Sequence, residues 1–174
     1  PICSAILAAT FATIGTASSQ DGRIKASPLR AREAGAATRF VRHSAEDCGV
    51  TAGNHLEKQH ILPYVYDGAG VATGDLDNDG LPDLYVVSQD GPNHLYRQTA
   101  PFKFEDVTEA AHVDGGDAWG TGCAIVDVDG DGLLDIYVCN LESPNLLYRN
   151  LGGMRFEECA RRFGLGFVGA SFFA

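Results

Sequence analysis

The chain has few basic residues and no long apolar run. It contains 13 Lys and Arg against 23 Asp and Glu among 174 residues, which gives a formal net charge of −10. Nucleic acids and anionic membrane surfaces need a basic footprint on a protein, so this charge argues against both as partners. The longest apolar stretch, Ile2–Gly15, is too short to cross a bilayer, and we expect no transmembrane segment.

Catalytic signatures are also absent. The sequence has no G-x-S-x-G, H-E-x-x-H, P-loop or Rossmann glycine pattern. His55 and His60, in the long connection after Val50, are a weak ligand signal, and surface histidines are the simpler interpretation. Trp119 is either an exposed recognition residue or a packed aromatic side chain. No residue is nominated as a nucleophile or general acid, and we expect that this segment is not an enzyme.

Two acidic loops stand out against this background. The run that begins at Asp75 reads D-L-D-N-D-G-L-P-D, and the run that begins at Asp127 reads D-V-D-G-D-G-L-L-D, at an offset of 127 − 75 = 52 residues. Alternate side chains in a tight loop point the same way, so the aspartates at positions one, three, five and nine can converge. With one backbone carbonyl for each loop, the predicted metal ligands are Asp75, Asp77, Asp79, Leu81 and Asp83, then Asp127, Asp129, Asp131, Leu133 and Asp135.

An all-oxygen ligand set selects a hard cation. Ca²⁺ accepts about 6–8 oxygens in a flexible shell, whereas Mg²⁺ needs octahedral geometry and keeps several waters. Neither loop contains Cys or His, which argues against Zn²⁺. We therefore predict two Ca²⁺ ions, one for each loop. The EF-hand starts with a similar pattern but needs Glu at position twelve, which is Val86 and Val138 here. An acidic turn without metal is the remaining alternative.

The repeat extends beyond the loops. The same 52-residue offset aligns Gly70-Val-Ala with Gly122-Cys-Ala and N-x-L-Y-R at 93–97 with 145–149. Strands are predicted near 70–75, 83–88, 93–98 and 102–107, then near 122–127, 135–139, 145–149 and 154–159. Four short strands in about 50 residues is the period of a β-propeller blade. The predicted fold is all-β: a β-propeller fragment with two clear four-stranded blades (about 70–121 and 122–173), loops at hairpin tips, and the start of a third near 163–174.

These motifs carry a family resemblance. The run G-x-G-V-A-x-G-D-x-D-x-D-G-x-x-D-L-Y-V, then N-x-L-Y-R and F-x-D-V-T, resembles the FG-GAP/VCBS repeat of integrin-α-type propellers. It is similar to the branch in secreted bacterial proteins and the cartilage acidic protein family, often with an ASPIC/UnbV-type C-terminal domain. The resemblance covers roughly residues 40–165 and implies Ca²⁺ at the eight loop aspartates. It departs from the family pattern at His43 and Ser44, and at Glu158, Cys159 and Ala160.

The first 38 residues differ in composition from the repeats. Ile2–Gly15 matches the apolar region of a signal peptide, and Ala17-Ser18-Ser19 offers a cleavage site. Residues 1–19 are predicted to be a signal-peptide remnant, 20–38 a linker and 39–174 a partial propeller; a buried strand or helix is the alternative for the first segment. We expect a fragment of a longer secreted, periplasmic or cell-surface protein that supplies the remaining blades.

The cysteine pattern predicts one cross-strand disulfide. Cys123 and Cys139 are equidistant from Asp131, since 131 − 8 = 123 and 131 + 8 = 139. In a hairpin with that symmetry they would lie opposite each other, within disulfide reach. The equivalent residues of the first repeat are Val71 and Val87, so a packed apolar pair is the alternative.

The predicted function follows from the repeats. We expect a calcium-binding propeller segment that acts as a binding or adhesion scaffold for an extracellular protein or carbohydrate ligand. The alternative is a part of a larger propeller enzyme, a hydrolase or lyase, whose active site lies mostly outside this segment.

Overall fold

The structure is a computed structural model that describes residues 42–53 and 69–171. The predicted signal peptide and linker, with His55, His60 and residues 172–174, lie outside the described residues. Within those ranges no helix has the length and hydropathy needed to cross a bilayer. The elements are α1 (Ala45–Cys48), β1 (Val71–Gly74), β2 (Asp83–Val86), β3 (His94–Ala100), β4 (Lys103–Asp106), α2 (Thr108–Ala111), β5 (Trp119–Val126), β6 (Asp135–Pro144), β7 (Leu146–Asn150), β8 (Phe156–Glu158) and β9 (Val168–Ala170).

Two antiparallel sheets follow each other along the chain. The first has the strand order β1-β2-β3-β4, and the second has the order β5-β6-β7-β8 with β9 beside β6. We call them blade 1 (β1–β4) and blade 2 (β5–β8). Within each blade, every strand pairs with the next one in sequence, as short hairpin connections require. The predicted all-β fold with two four-stranded blades is confirmed.

Blade 2 has longer inner strands than the sequence predicts. β5 begins at Trp119 rather than near 122, and β6 continues to Pro144 rather than ending near 139. The end of β6 is extended because Leu141, Ser143 and Pro144 pair with β9. β9 lies in the segment predicted to start a third repeat, and it adds a fifth strand to the second sheet.

The main apolar core lies between the two blades. Blade 1 contributes Leu76, Tyr85 and Leu95 to it, and blade 2 contributes Ile136 and Val138; all five are fully buried. Burial of side chains from both sheets in one cluster is the packing expected of neighbouring blades. The face of each blade that points away from this core is called its outer face below.

Glycines allow the two blades to approach closely. A Cβ on Gly70 would lie 2.7 Å from the Cα of Gly122, and a Cβ on Gly120 would lie 2.2 Å from Cγ1 of Val87. Any larger residue at Gly70 or Gly120 would therefore push the blades apart.

A polar network at the β2–β3 connection of blade 1, and at the β6–β7 connection of blade 2, explains why one Asn and one Tyr recur in both repeats. Asn93 accepts a hydrogen bond from the N–H of Ser88 at 2.9 Å and donates to the hydroxyl of Tyr85 at 3.1 Å. Blade 2 repeats these contacts with Asn145, Asn140 and Tyr137. Each network is buried or partly buried, so its polar groups must be paired. The repeated tyrosines therefore have a structural role.

A short helical turn occurs three times in the part of the chain that the structure describes. α1 and α2 are capped at their C-termini by Gly49 and His112, which have left-handed backbones with φ of 81° and 56°. Gly164, with φ of 70°, ends a third turn after β8. The copies are 112 − 49 = 63 and 164 − 112 = 52 residues apart. The turn at α1 is thus a further copy of the turn that ends each repeat. The distance from Gly49 to the next copy is 63 − 52 = 11 residues longer than the distance from His112 to Gly164.

The predicted disulfide between Cys123 and Cys139 is wrong. The register pairs Cys139 with Gly122 and Cys123 with Val138, and no disulfide joins the two cysteines. Neighbouring residues on a strand point to opposite faces, so Cys123 faces blade 1 and Cys139 faces away from it. Because 122 + 139 = 261, the hairpin axis lies between residues 130 and 131 and not on Asp131.

Candidate metal centre

The hairpin between β1 and β2 brings three carboxylates together. Asp75, Asp77 and Asp83 each offer one oxygen, and these oxygens lie within 4.8 Å of one another. Asp75 directly follows β1, and Asp83 is the first residue of β2. The pairing of β1 with β2 therefore brings Asp83 next to Asp75.

The loop backbone folds around Asp75. The carboxylate of Asp75 accepts hydrogen bonds from the N–H of Asp79 at 3.0 Å and of Gly80 at 2.9 Å. This turn needs left-handed backbones at Asn78, with φ of 59°, and at Gly80, with φ of 88°. Asn and Gly adopt that conformation at the lowest cost. The D-N-D-G order is thus required by the turn as well as by the ligand pattern.

Asp83 is the innermost carboxylate of the first loop. It is fully buried, and its two oxygens accept the N–H groups of Leu76 and Gln98, both at 2.9 Å. Burial raises the pKa of Asp83, while these two hydrogen bonds lower it. Among the described residues, no Lys or Arg forms an ion pair with Asp83. A buried carboxylate that faces two others is stabilised by a bound cation, so the donor set fits a metal ion.

The hairpin between β5 and β6 repeats this arrangement. Asp127, Asp129 and Asp135 form a second group of carboxylates within 4.8 Å. Asp127 accepts the N–H groups of Gly132 at 2.9 Å and Gly130 at 2.7 Å, which lowers the pKa of Asp127. Asp135 is fully buried, like Asp83, and accepts two backbone N–H groups, those of Val128 and Asn150.

Asp79 and Asp131 are not part of these groups. Asp79 accepts the N–H of Leu81 at 2.9 Å, and Asp131 accepts the N–H of Leu133 at 2.9 Å. The structure therefore brings together three of the four predicted aspartates in each loop and holds the fourth beside them. Metal ligation by Asp79 and Asp131, and by the carbonyls of Leu81 and Leu133, stays a prediction.

Two arginines that the sequence analysis did not select contact the loops. Nε of Arg97 donates to Oδ2 of Asp77 at 2.6 Å, and its Nη2 lies 3.3 Å from Oδ2 of Asp79. Arg149 makes the same contacts, at 2.5 and 3.3 Å, with Asp129 and Asp131. These carboxylates raise the pKa of both arginines. The signal was present in the sequence, because N-x-L-Y-R keeps a positive charge in both copies.

One side chain connects the two loops. The N–H of Asn150 donates to Oδ1 of Asp135 at 2.8 Å, and its side-chain amide donates to the carbonyl of Leu76 at 2.8 Å and of Leu134 at 3.0 Å. Leu76 belongs to the first loop and Asp135 to the second. The equivalent residue of blade 1 is Gln98, whose Oε1 is buried without a hydrogen-bond partner among the described residues.

The donor set of the two loops fits a hard cation. The predicted donors are oxygen atoms, and the residues after each loop form β2 and β6. An EF-hand would continue into a helix and would supply a Glu at position twelve. The structure therefore removes the EF-hand alternative.

A groove of about 870 Å³ beside β3 and α2 is lined by a histidine, an aspartate and a threonine, among other residues. Nδ1 of His94 lies 2.9 Å from Oδ2 of Asp106, and the hydroxyl of Thr108 donates to Oδ1 of Asp106 at 2.5 Å. In a Ser-His-Asp triad the hydroxyl is hydrogen-bonded to the histidine, not to the carboxylate. The three residues therefore lie in a different order from that of such a triad.

Trp119 lies at a smaller cavity of about 370 Å³, which it shares with Gln89, Asp90, Gly91 and Asp117. It is partly buried and begins β5, whereas the metal loop follows the other end of that strand. The cavity and the candidate metal centre thus lie at opposite ends of blade 2's first strand.

Comparison with known proteins agrees with this geometry. A family model described as FG-GAP-like repeat matches residues 75–138, which run from the first loop aspartate into β6. Residues 75–138 are therefore similar to an FG-GAP-like repeat. The matched segment contains both acidic loops, β2, β3 and β4 of blade 1, and β5 of blade 2. The family resemblance seen in the sequence is confirmed.

The chain is also similar to cartilage acidic protein 1 from three vertebrates. It is 30% identical to the Xenopus tropicalis protein over 96 residues, which are 53% of this chain and 15% of that protein. The Homo sapiens and Mus musculus proteins are each 31% identical over 96 residues, with 14% and 15% of their lengths covered. The chain thus matches about 15% of the length of these relatives. The FG-GAP-like repeat and these relatives support a propeller-type scaffold.

Proposed function

We propose that this chain is a calcium-binding segment of a β-propeller scaffold and takes up one Ca²⁺ in each loop. The observation that carries the proposal is the group of three carboxylate oxygens within 4.8 Å, which occurs at the same place in both hairpins. The residues that would hold the two ions are Asp75, Asp77 and Asp83, and Asp127, Asp129 and Asp135.

The role of the ions in this proposal is structural. Ca²⁺, when bound, supplies the positive charge that converging carboxylates need. Asp75 follows β1 and Asp83 begins β2, so ligands from both strands would be tied at the hairpin tip. The expected effect is a more stable blade, not a reaction at the metal.

We further propose that the scaffold belongs to an exported protein, placed in the secreted, periplasmic or cell-surface space, and works by binding. The similarity to cartilage acidic protein 1 and the FG-GAP-like repeat support this role. The repeated residues serve the fold and the loops, which leaves non-repeating residues such as Trp119 to determine specificity. An extracellular protein or a carbohydrate is the proposed ligand, and the segment itself is proposed to have no catalytic activity.

Calorimetric titration with Ca²⁺ tests the metal proposal. We expect two equivalents to bind and the melting temperature to fall when EDTA is added. Magnesium at the same concentration is the control, since Ca²⁺ should bind more tightly in a flexible oxygen shell. No heat of binding together with an unchanged melting temperature in EDTA would reject the proposal.

Glycan and matrix-protein arrays test the binding role. The full-length protein should retain a ligand in the presence of Ca²⁺, and Trp119→Ala should weaken that binding while both metal sites stay intact. Hydrolase or lyase turnover that disappears on mutation of a residue between 40 and 165 would instead support an enzyme.

A further inference from the structure

We propose that Arg97 and Arg149 are resident counter-cations of the two loops: each stabilises the metal-free loop and lowers its affinity for Ca²⁺. The inference rests on the proposed function, and it concerns how tightly the loops hold their ion. The two arginines occupy equivalent positions, because 149 − 97 = 52, and they make the same contacts.

The contacts divide each loop into two pairs of carboxylates. In the first loop, Asp75 and Asp83 are held by backbone N–H groups. Asp77 and Asp79 each give their Oδ2 to the guanidinium of Arg97. Backbone N–H groups alone thus hold the first and last aspartates, whereas each of the middle two accepts one backbone N–H and also contacts a full positive charge from β3.

The guanidinium reaches the loop from another strand of the same blade. Arg97 lies on β3, while Asp77 and Asp79 belong to the connection between β1 and β2. Its nitrogens bridge two carboxylates that would otherwise repel each other. The loop can thus keep its shape without a metal ion, because one charge of opposite sign is already present.

The same charge opposes a bound cation. The four aspartates of the first loop carry a charge of −4, and Arg97 reduces the sum to −3. In a solvent-exposed loop, a full charge at about the length of one side chain from a divalent ion changes the loop's affinity for that ion by about tenfold. The loss of a surface ion pair changes an equilibrium by about fivefold at most. The charge effect is the larger one, so removal of the arginine should increase the affinity for Ca²⁺.

Charge and shape can be separated by two substitutions. Arg97→Gln removes the charge, while Arg97→Lys keeps the charge but loses the planar fork that bridges two carboxylates. Arg162→Gln is the matched control, because Arg162 pairs with Glu157 on the surface and does not contact either loop. Arg149→Gln repeats the test in the second loop.

The experiment measures Ca²⁺ affinity by calorimetry and the melting temperature in EDTA. For Arg97→Gln we expect about a tenfold lower Kd at one of the two sites, an unchanged Kd at the other, and a lower melting temperature in EDTA. Arg97→Lys should keep a Kd near that of the wild type, and Arg162→Gln should change neither Kd. If Arg97→Gln is unfolded in EDTA, its refolding on addition of Ca²⁺ supports the inference.

The outcomes distinguish this inference from the proposed function. If the wild type binds Ca²⁺ but Arg97→Gln binds it equally or more weakly, the arginine is not a competing charge and the inference is overturned. If the wild type binds no Ca²⁺, the proposed function fails and so does the affinity half of the inference. An unchanged melting temperature of Arg97→Gln in EDTA would overturn the other half.

Discussion

Blade 1 and blade 2 have the same strands and the same loop, yet they turn opposite faces toward the core between them. Leu76 of blade 1 is fully buried against blade 2, whereas its equivalent, Val128, is only partly buried. The opposite faces show the reverse: Val71 on the outer face of blade 1 is 65% exposed, while its equivalent, Cys123, packs against the core between the blades. At these two pairs of equivalent positions, burial thus depends on which face of the blade packs against the other blade.

The largest difference between equivalent positions should appear at Leu76 and Val128. Leu76→Ala leaves a cavity in the core between the blades and should lower the free energy of unfolding by about 2–5 kcal/mol. Val128→Ala, in the partly buried equivalent, should cost less than half as much. Urea denaturation followed by circular dichroism measures both. Equal losses would mean that the two faces are covered alike in solution.

Unlike the two blade faces, the two acidic loops should respond in the same way to equivalent substitutions. Asp77→Ala and Asp129→Ala are each expected to remove one Ca²⁺ and leave the other. At free Ca²⁺ about 100-fold above Kd, each should remove about 2.7 kcal/mol of Ca²⁺-dependent stabilisation. Calorimetry gives the stoichiometry, and wild-type protein in EDTA is the control. Loss of both ions in either single variant would contradict separate sites.

A smaller difference is expected at Asn150 and Gln98. Asn150→Ala leaves the carbonyls of Leu76 and Leu134 without their donor, at a cost of about 1–3 kcal/mol. Gln98→Ala removes an oxygen that has no hydrogen-bond partner among the described residues, so its cost should be lower. Thermal denaturation of the two variants under one set of conditions compares them. A larger loss for Gln98→Ala would show that its amide has a partner in solution.

The smallest effect on stability, but a clear one on reactivity, is expected for thiols at positions 123 and 71. Burial raises the pKa of Cys123 to about 12, so at pH 8 this thiol is almost entirely protonated. Val71→Cys would place a thiol on the exposed outer face of blade 1. It should react with iodoacetamide about 100-fold faster than Cys123 or more, because the thiolate is the reactive form. Peptide mapping by mass spectrometry quantifies both sites, and comparable rates would contradict the buried position.

The repeat made the blades and loops predictable, but not the strand register. A 52-residue period with alternating apolar residues identifies four strands and a hairpin without any knowledge of partners. The face that each residue occupies depends on the register, and an error of half a residue in the hairpin axis placed Cys123 opposite Cys139. A shift of one residue moves a side chain to the other face of the sheet. The length of β6 depends on β9, which is distant in sequence.

For the candidate metal centre, the sequence likewise predicted the loop aspartates but not the residues that contact them. Spacing identifies which aspartates share a loop, because alternate side chains converge. It does not show that Asp79 pairs with Arg97, which lies 18 residues further along the chain, or that the backbone of β3 holds Asp83. Those contacts exist only once β3 pairs with β2. A charge that recurs in both copies of a repeat is therefore a useful sign of a loop partner.

Asn150 has a consequence for how the two acidic loops are positioned. Its backbone bonds to Asp135 in the second loop, its side chain bonds to Leu76 in the first, and Leu76 in turn bonds to Asp83. An unbroken path of hydrogen bonds thus runs from the innermost carboxylate of one blade to that of the next. The path fixes the position of one hairpin tip relative to the other through one buried amide. The two tips are thus joined to each other, while each loop keeps its own set of carboxylates.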